Sequence, residues 1–282
     1  MEYSLHHFVP QFYLRRFTDS DGLLWVYDKD DDRVFSATPR SLATERGFYT
    51  LPDFFPDPAL LERQFADLEE RAALITQDWL DQLKPGHSVE IPAINREIMS
   101  LYLTTQLLRT SEARTLLLQG IKNPRVTSGE GEIQRVLHTA LLWNNEHVKE
   151  ISDWVYSCIW IFRINSMPES LYTSDDPVKV RSSTRHLHWA QTSIRGAYLL
   201  IPVTPRILMY CFEPQHWNAL KQFDCKVFPK PLELELVNDA NIQQVGHARR
   251  FVFSDRDDFS SAQEFCHKYP GAVGQNRERF GQ

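Results

Sequence analysis

Two adjacent histidines, His6-His7, stand just ahead of Pro10 and the aromatic residues Phe12, Tyr13 and Phe17. Neighbouring positions of this kind turn one ring inward and the other outward. One ring is then free to ligate a metal or act as a general base while the other bonds the backbone. A buried, hydrogen-bonded structural histidine is the competing reading. Gln11 lies four residues after His7, with Arg15 and Arg16 close behind. A second polar group is Thr173-Ser174-Asp175-Asp176-Pro177-Val178. Proline disfavours helix at the residue before it, which holds Asp175 and Asp176 on a tight turn. Two carboxylates there can coordinate a divalent cation or hold a water as general base; an Asx-turn capping backbone amides is the alternative.

Gln106 and Arg109 are three apart, which places them on one face of a helix. A planar guanidinium suits phosphate or carboxylate ligands. Its structural alternative is an ion pair with Glu62, Glu69 or Asp175. Asn241, Gln244 and His247 step by three along a later helix and read as its wet face or as a binding stripe. Asp28, Asp30, Asp31 and Asp32 lack the distal Glu and fixed Gly of a calcium loop and read as a solvated hairpin turn. His186 and His188 have no acidic or cysteine partner nearby and read as an exposed loop pair.

These residues need elements to position them. Residues 23–27 and 33–36 flank a polar loop and predict a β-hairpin. Phe48-Tyr49-Thr50 reads as a short strand or a buried aromatic anchor. The spacing of Leu61, Phe65, Leu68, Ala72, Ile75, Trp79 and Leu83 predicts an amphipathic helix over 59–83. Further helices are expected over 94–118 and 132–151, separated by a Gly-bounded loop at 120–131. The apolar stretch 154–164 is too dense for a surface helix and predicts a buried strand from about 158. Strands are expected at 171–173, 197–202, 206–212 and 251–253, with a helix over 238–249. Segregated runs of this kind predict an α+β fold. The expected architecture is a mixed or antiparallel sheet with an N-terminal β-hairpin and a helical middle section. It is read as one domain over 1–262, helical at about 59–151, with a polar tail at 263–282.

The chain has 282 residues, 42% of them hydrophobic and 24% charged, which is globular usage. Mean hydropathy is -0.40, and no run approaches the ~20 apolar residues of a membrane helix. No membrane partner is expected. The opening residues lack a basic patch followed by an apolar stretch, so no secretory leader is expected. A net charge of -6 gives no global attraction to a polyanion, so any nucleic acid would be held by a local basic patch. The four cysteines are scattered and predict neither a zinc knuckle nor a disulfide scaffold; a reducing, cytoplasmic setting fits. No phosphate loop, G-x-G-x-x-G, H-E-x-x-H or G-x-S-x-G occurs.

The opening run His6-His7-Phe8-Val9-Pro10-Gln11-Phe12-Tyr13-Leu14-Arg15-Arg16-Phe17 resembles the H-H-Y-V-P-x-x-Y-L-x-x-F signature of the family catalogued as domain of unknown function 4238. Later pieces are similar in the same order: Phe48-Tyr49, Leu61-Glu62, Gln106 with Arg109, Thr173 to Val178, Pro202 with Thr204-Pro205, and Asn241. Phe8 replaces the usual Tyr and removes one hydroxyl. The resemblance implies that these polar patches belong together. It carries no activity, substrate or cofactor.

Two functions compete on these residues. In a metal-assisted hydrolase, a nuclease of defence or toxin type, His6, His7, Asp175 and Asp176 are the catalytic groups and Glu62 assists. His7 and Asp175 then hold Mg²⁺ or Mn²⁺, while Gln106, Arg109, Arg15 and Asn241 bind substrate. In a non-catalytic binding or regulatory module, the same groups form a buried structural network.

Overall fold

Leu24 to Tyr27 and Arg33 to Ala37 carry β-branched and aromatic residues on either side of an Asp-rich turn, and they form the expected hairpin. Its strands β2 (Leu24–Asp28) and β3 (Arg33–Ala37) pair antiparallel from Leu24↔Ala37 to Asp28↔Arg33. Asp32, with φ of 46°, takes the left-handed conformation that closes the turn. This computed structural model describes residues 5–46, 60–110, 139–140, 142, 144–182 and 196–273. The readings at 48–50, 120–131, His186 and His188, and the end of the tail lie outside those residues.

Among the described residues the strands form three sheets. β1 (Leu5–His7) pairs antiparallel with β4 (Thr44–Arg46). The hairpin sheet has the order β3-β2-β11-β6, with β6 at Thr173–Ser174 and β11 at Phe251–Ser254, antiparallel throughout. The larger sheet has the order β10-β5-β9-β8-β7. Its strands are β5 (Ile159–Ile164), β7 (Lys179–Ser182), β8 (Ala197–Thr204), β9 (Ile207–Phe212) and β10 (Lys226–Val227). β10 runs parallel to β5 and the other pairs are antiparallel, so this sheet is mixed. The fold is α+β, as expected.

The helices show where periodicity was informative. α2 (Leu60–Gln82) matches the predicted span and buries Leu61, Ala72, Ile75 and Trp79 on one stripe. Trp79 meets Trp160 and Phe162 of β5 edge-on, with centroids 5.8 and 5.5 Å away. Edge-to-face pairs add to the apolar burial that holds helix to sheet. α3 (Ala93–Leu108) follows, ending where Arg109 leaves helical geometry. α4 (Asn145–Ser157) is capped by the Asn144 side chain on the His147 N–H. It runs six residues past the predicted end at 151. The dense apolar stretch starts as the last turn of this helix and becomes strand only at Ile159.

A short helix α1 (Gln11–Leu14) starts after Pro10 and tightens into a 3₁₀ turn at Arg15–Phe17. Its buried Tyr13 hydroxyl donates to the Pro202 carbonyl of β8 at 2.6 Å and lies 2.8 Å from Thr173 Oγ1 of β6. One phenol thus touches both large sheets. α5 (Leu234–His247) begins four residues before its predicted start, and α6 (Ser260–Lys268) buries Phe265 and Cys266. The predicted start of the polar tail, at 263, falls inside α6. Among the described residues no helix is long and apolar enough to cross a membrane.

Candidate functional site

The histidine end is built by β1 and α3. His7 is half-buried, and its Nε2 lies 3.0 Å from the Arg40 carbonyl. A carbonyl only accepts, so Nε2 carries the proton in this bond and Nδ1 holds the lone pair. Burial lowers the His7 pKa below its ordinary value; the Arg40 carbonyl and Glu69 oppose that, while Arg109 and Arg15 reinforce it. The ring is therefore neutral at pH 7. Beside it Gln106 donates to the Phe8 carbonyl at 2.9 Å and accepts from Arg109 Nη2 at 2.8 Å. Arg109 Nη1 pairs with Glu69 at 2.6 Å, and its guanidinium lies over the Phe65 ring. The expected three-residue step on α3 is realised, and of the three carboxylates considered for Arg109 it is Glu69 that the structure places on Nη1.

Glu62 sits half-buried in the first turn of α2, seven residues before Glu69. Seven residues are two helical turns. Arg15 is exposed and donates to Gln11 Oε1 at 3.1 Å. His6 lies on β1, opposite Glu45.

The Asp-Asp-Pro turn is committed differently. Asp175 Oδ1 accepts the Arg249 N–H at 2.8 Å, and Oδ2 accepts those of Arg250 and Phe251 at 2.8 and 2.9 Å. The side chain is buried, at 5% exposure. It caps the backbone where the chain leaves α5 and enters β11. Asp176 is buried too and pairs with buried Lys179, Oδ2 to Nζ at 3.0 Å. Ser174 Oγ lies 2.7 Å from Gln244 Oε1, and Gln244 donates to the Pro177 carbonyl at 3.1 Å.

Asn241 accepts the Tyr172 N–H at 2.7 Å and donates to the Ser170 carbonyl at 2.9 Å. The stripe Asn241, Gln244 thus faces inward, at 5% and 0% exposure, while Leu234 and Leu236 of the same helix are exposed. A wet face was the expectation. The reversal follows from what packs there: irregular backbone at 170–177 offers N–H and C=O groups that amide side chains satisfy and apolar ones would leave unpaired.

The structure therefore makes two clusters of the predicted residues. One links Gln106 through Arg109 to Glu69, with His7 feeling the charges of Glu69, Arg109 and Arg15; the other gathers Asp175, Asp176 and Asn241 around the backbone of 170–177 and 249–251. Among the described residues no group of three or more His, Cys, Asp or Glu side chains could hold a metal ion. The backbone already takes three of the four lone-pair sites of Asp175, one at Oδ1 and two at Oδ2, and His7 Nε2 is held by the Arg40 carbonyl.

Sequence reasoning missed Lys179 as the partner of Asp176, though a Lys three residues beyond an Asp is a readable spacing. It also missed Lys29, which lies in the Asp-rich loop and is 2% exposed, with Nζ 2.7 and 2.8 Å from the Val245 and Ala248 carbonyls. No local signal marks it, since its partners are more than 200 residues away.

Over residues 5–258 the chain matches the family described as Protein of unknown function (DUF4238), and it belongs to that family. No curated protein and no solved structure matches it.

Proposed function

Starting from that membership, which brings no activity with it, we propose that the protein is a non-catalytic binding or regulatory module whose buried polar network is structural. The observation that supports this reading is the Asp175 carboxylate, bonded to three backbone N–H groups. A carboxylate so engaged holds a chain junction in place. Asp176, bound to Lys179, and Asn241, bound to backbone, support it further. The test uses the full chain, with labelled RNA and DNA in Mg²⁺ or Mn²⁺ and thermal melts of Asp175→Ala and His7→Ala. The expected result is no cleavage by the parent and a lower melting temperature for Asp175→Ala. Metal-dependent cleavage lost in both variants, at an unchanged melting temperature, would overturn the reading.

A second reading keeps hydrolysis of phosphodiester bonds, and one observation favours it: neutral His7 stands beside Glu69, Arg109 and Arg15. His7 Nδ1 would accept the proton of an attacking water, and exposed Arg15 would form part of a local basic patch for nucleic acid. Cleavage abolished by His7→Gln and weakened by Arg15→Ala would favour this reading over the first. Unchanged cleavage in both variants would remove it.

A further inference from the structure

Between the 168–172 segment, α5 and the turn at 254–261 lies a cleft of about 280 Å³. Its walls are held by bonds already made. Asn241 ties the Ser170 carbonyl and the Tyr172 N–H to α5. Arg256 Nη1 donates to the Pro168 carbonyl at 2.9 Å. The Tyr172 hydroxyl donates to the Asp258 carbonyl at 2.9 Å and lies 3.2 Å from Ser261 Oγ. A lining fixed in this way loses little freedom when a ligand arrives.

One lining group is left over. Ser170 is 5% exposed, and its hydroxyl has no hydrogen-bond partner in the protein. Buried hydroxyls are nearly always bonded, and one that is not calls for an explanation. The rest of the lining indicates what could bond it. Glu169 and Asp258 outnumber Arg256, which disfavours an anion. Asn238 and Ser261 add groups that both donate and accept. Neutral vicinal hydroxyls need that mixture, with carboxylates as further acceptors. The volume falls just under the roughly 300 Å³ at which drug-sized sites begin, so it suits a single ring.

We propose that this cleft binds a neutral, polyhydroxylated molecule of monosaccharide size. The proposal rests on the binding-module reading and gives it a ligand class. The test is saturation-transfer NMR on the full chain, with glucose, galactose, ribose and myo-inositol as neutral probes and inorganic phosphate as the anionic one. The expected result is saturable binding of at least one neutral probe, weakened about tenfold or more by Ser170→Ala and by Asn238→Ala. Ser170→Ala removes an unbonded hydroxyl and Asn238 is exposed, so both variants should melt within about 2 °C of the parent. Binding of phosphate alone, no saturable binding of any neutral probe, or parent-like affinity in both variants would overturn the proposal. Slow conversion of the bound sugar would leave the cleft standing and overturn the non-catalytic reading instead.

Discussion

Asp175 reaches 74 to 76 residues along the chain to take the N–H groups of Arg249, Arg250 and Phe251. Bonds from N–H to a charged acceptor are stronger than neutral ones, and three of them converge on this one carboxylate. Replacing Asp175 by Asn keeps one oxygen but turns an NH₂ toward an N–H. Asp175→Asn should therefore lose on the order of 3 kcal/mol in denaturant unfolding, and Asp175→Ala more. The contrast is Asp31, whose pair with Arg250 is 58% and 42% exposed; Asp31→Asn should cost under about 1 kcal/mol. Equal losses in the two Asn variants would mean that the cap is not what holds the junction. The residues before Pro177 announce a constrained turn, and amide capping was among the readings they allowed. What they do not announce is which amides, because that partner is set by how β11 lies beside β6.

At the scale of elements, Lys29 shows how a hairpin can finish a helix. The last carbonyls of α5 have no partners within the helix, and they carry the negative end of its dipole. Lys29 meets two of them from the turn between β2 and β3. Lys29→Met keeps much of the apolar stem and removes the ammonium. It should cost about 1–3 kcal/mol and speed amide exchange in the last turn of α5 more than in α2. Uniform exchange across both helices would refute the capping role. The hairpin itself was legible, since two β-rich runs flank a polar loop. The loop reads as wholly solvated, and this is true of Asp30, Asp31 and Asp32 but not of Asp28 or Lys29. A similar limit applies to α5, whose spacing predicts a helix but whose polar stripe points inward. Periodicity reports that a helix has two faces; only the neighbouring backbone decides which face is buried. α2 was read almost to the residue because its apolar stripe meets a sheet made of the same kind of side chains, where burial and hydropathy agree.

For the molecule as a whole, the charged groups set a common direction for acid sensitivity. Burial alone would raise the Asp28 pKa, but hydrogen bonds and charge from Arg250, with backbone N–H groups of Asp30 and Asp31, hold it below the usual carboxylate value. Glu213 is likewise lowered against its own burial by the N–H groups of His216, Gln215 and Gly196. Such groups add stability that is present above their unfolded pKa values and is lost as pH falls through the folded ones. His7 acts in the same direction for a different reason. Its folded pKa lies below the ordinary value of 6.5, so between the two the unfolded chain binds a proton that the folded chain refuses, and stability falls as pH drops. The stability curve should then descend in two stages from neutral pH. The first begins near the ordinary histidine value, with a contribution from His7 of at most about 1.4 kcal/mol per pH unit. The second, steeper stage sets in below about pH 4, where several carboxylates are protonated together. Urea unfolding of the parent, His7→Gln and Asp28→Asn at closely spaced pH values separates the stages. His7→Gln should flatten the first and leave the second, while Asp28→Asn should leave the first and reduce the second. A first stage that survives His7→Gln unchanged would mean that the ring is exposed enough to titrate as it does in the unfolded chain. The cluster with Glu69 and Arg109 would then give His7 no special character for either proposed function.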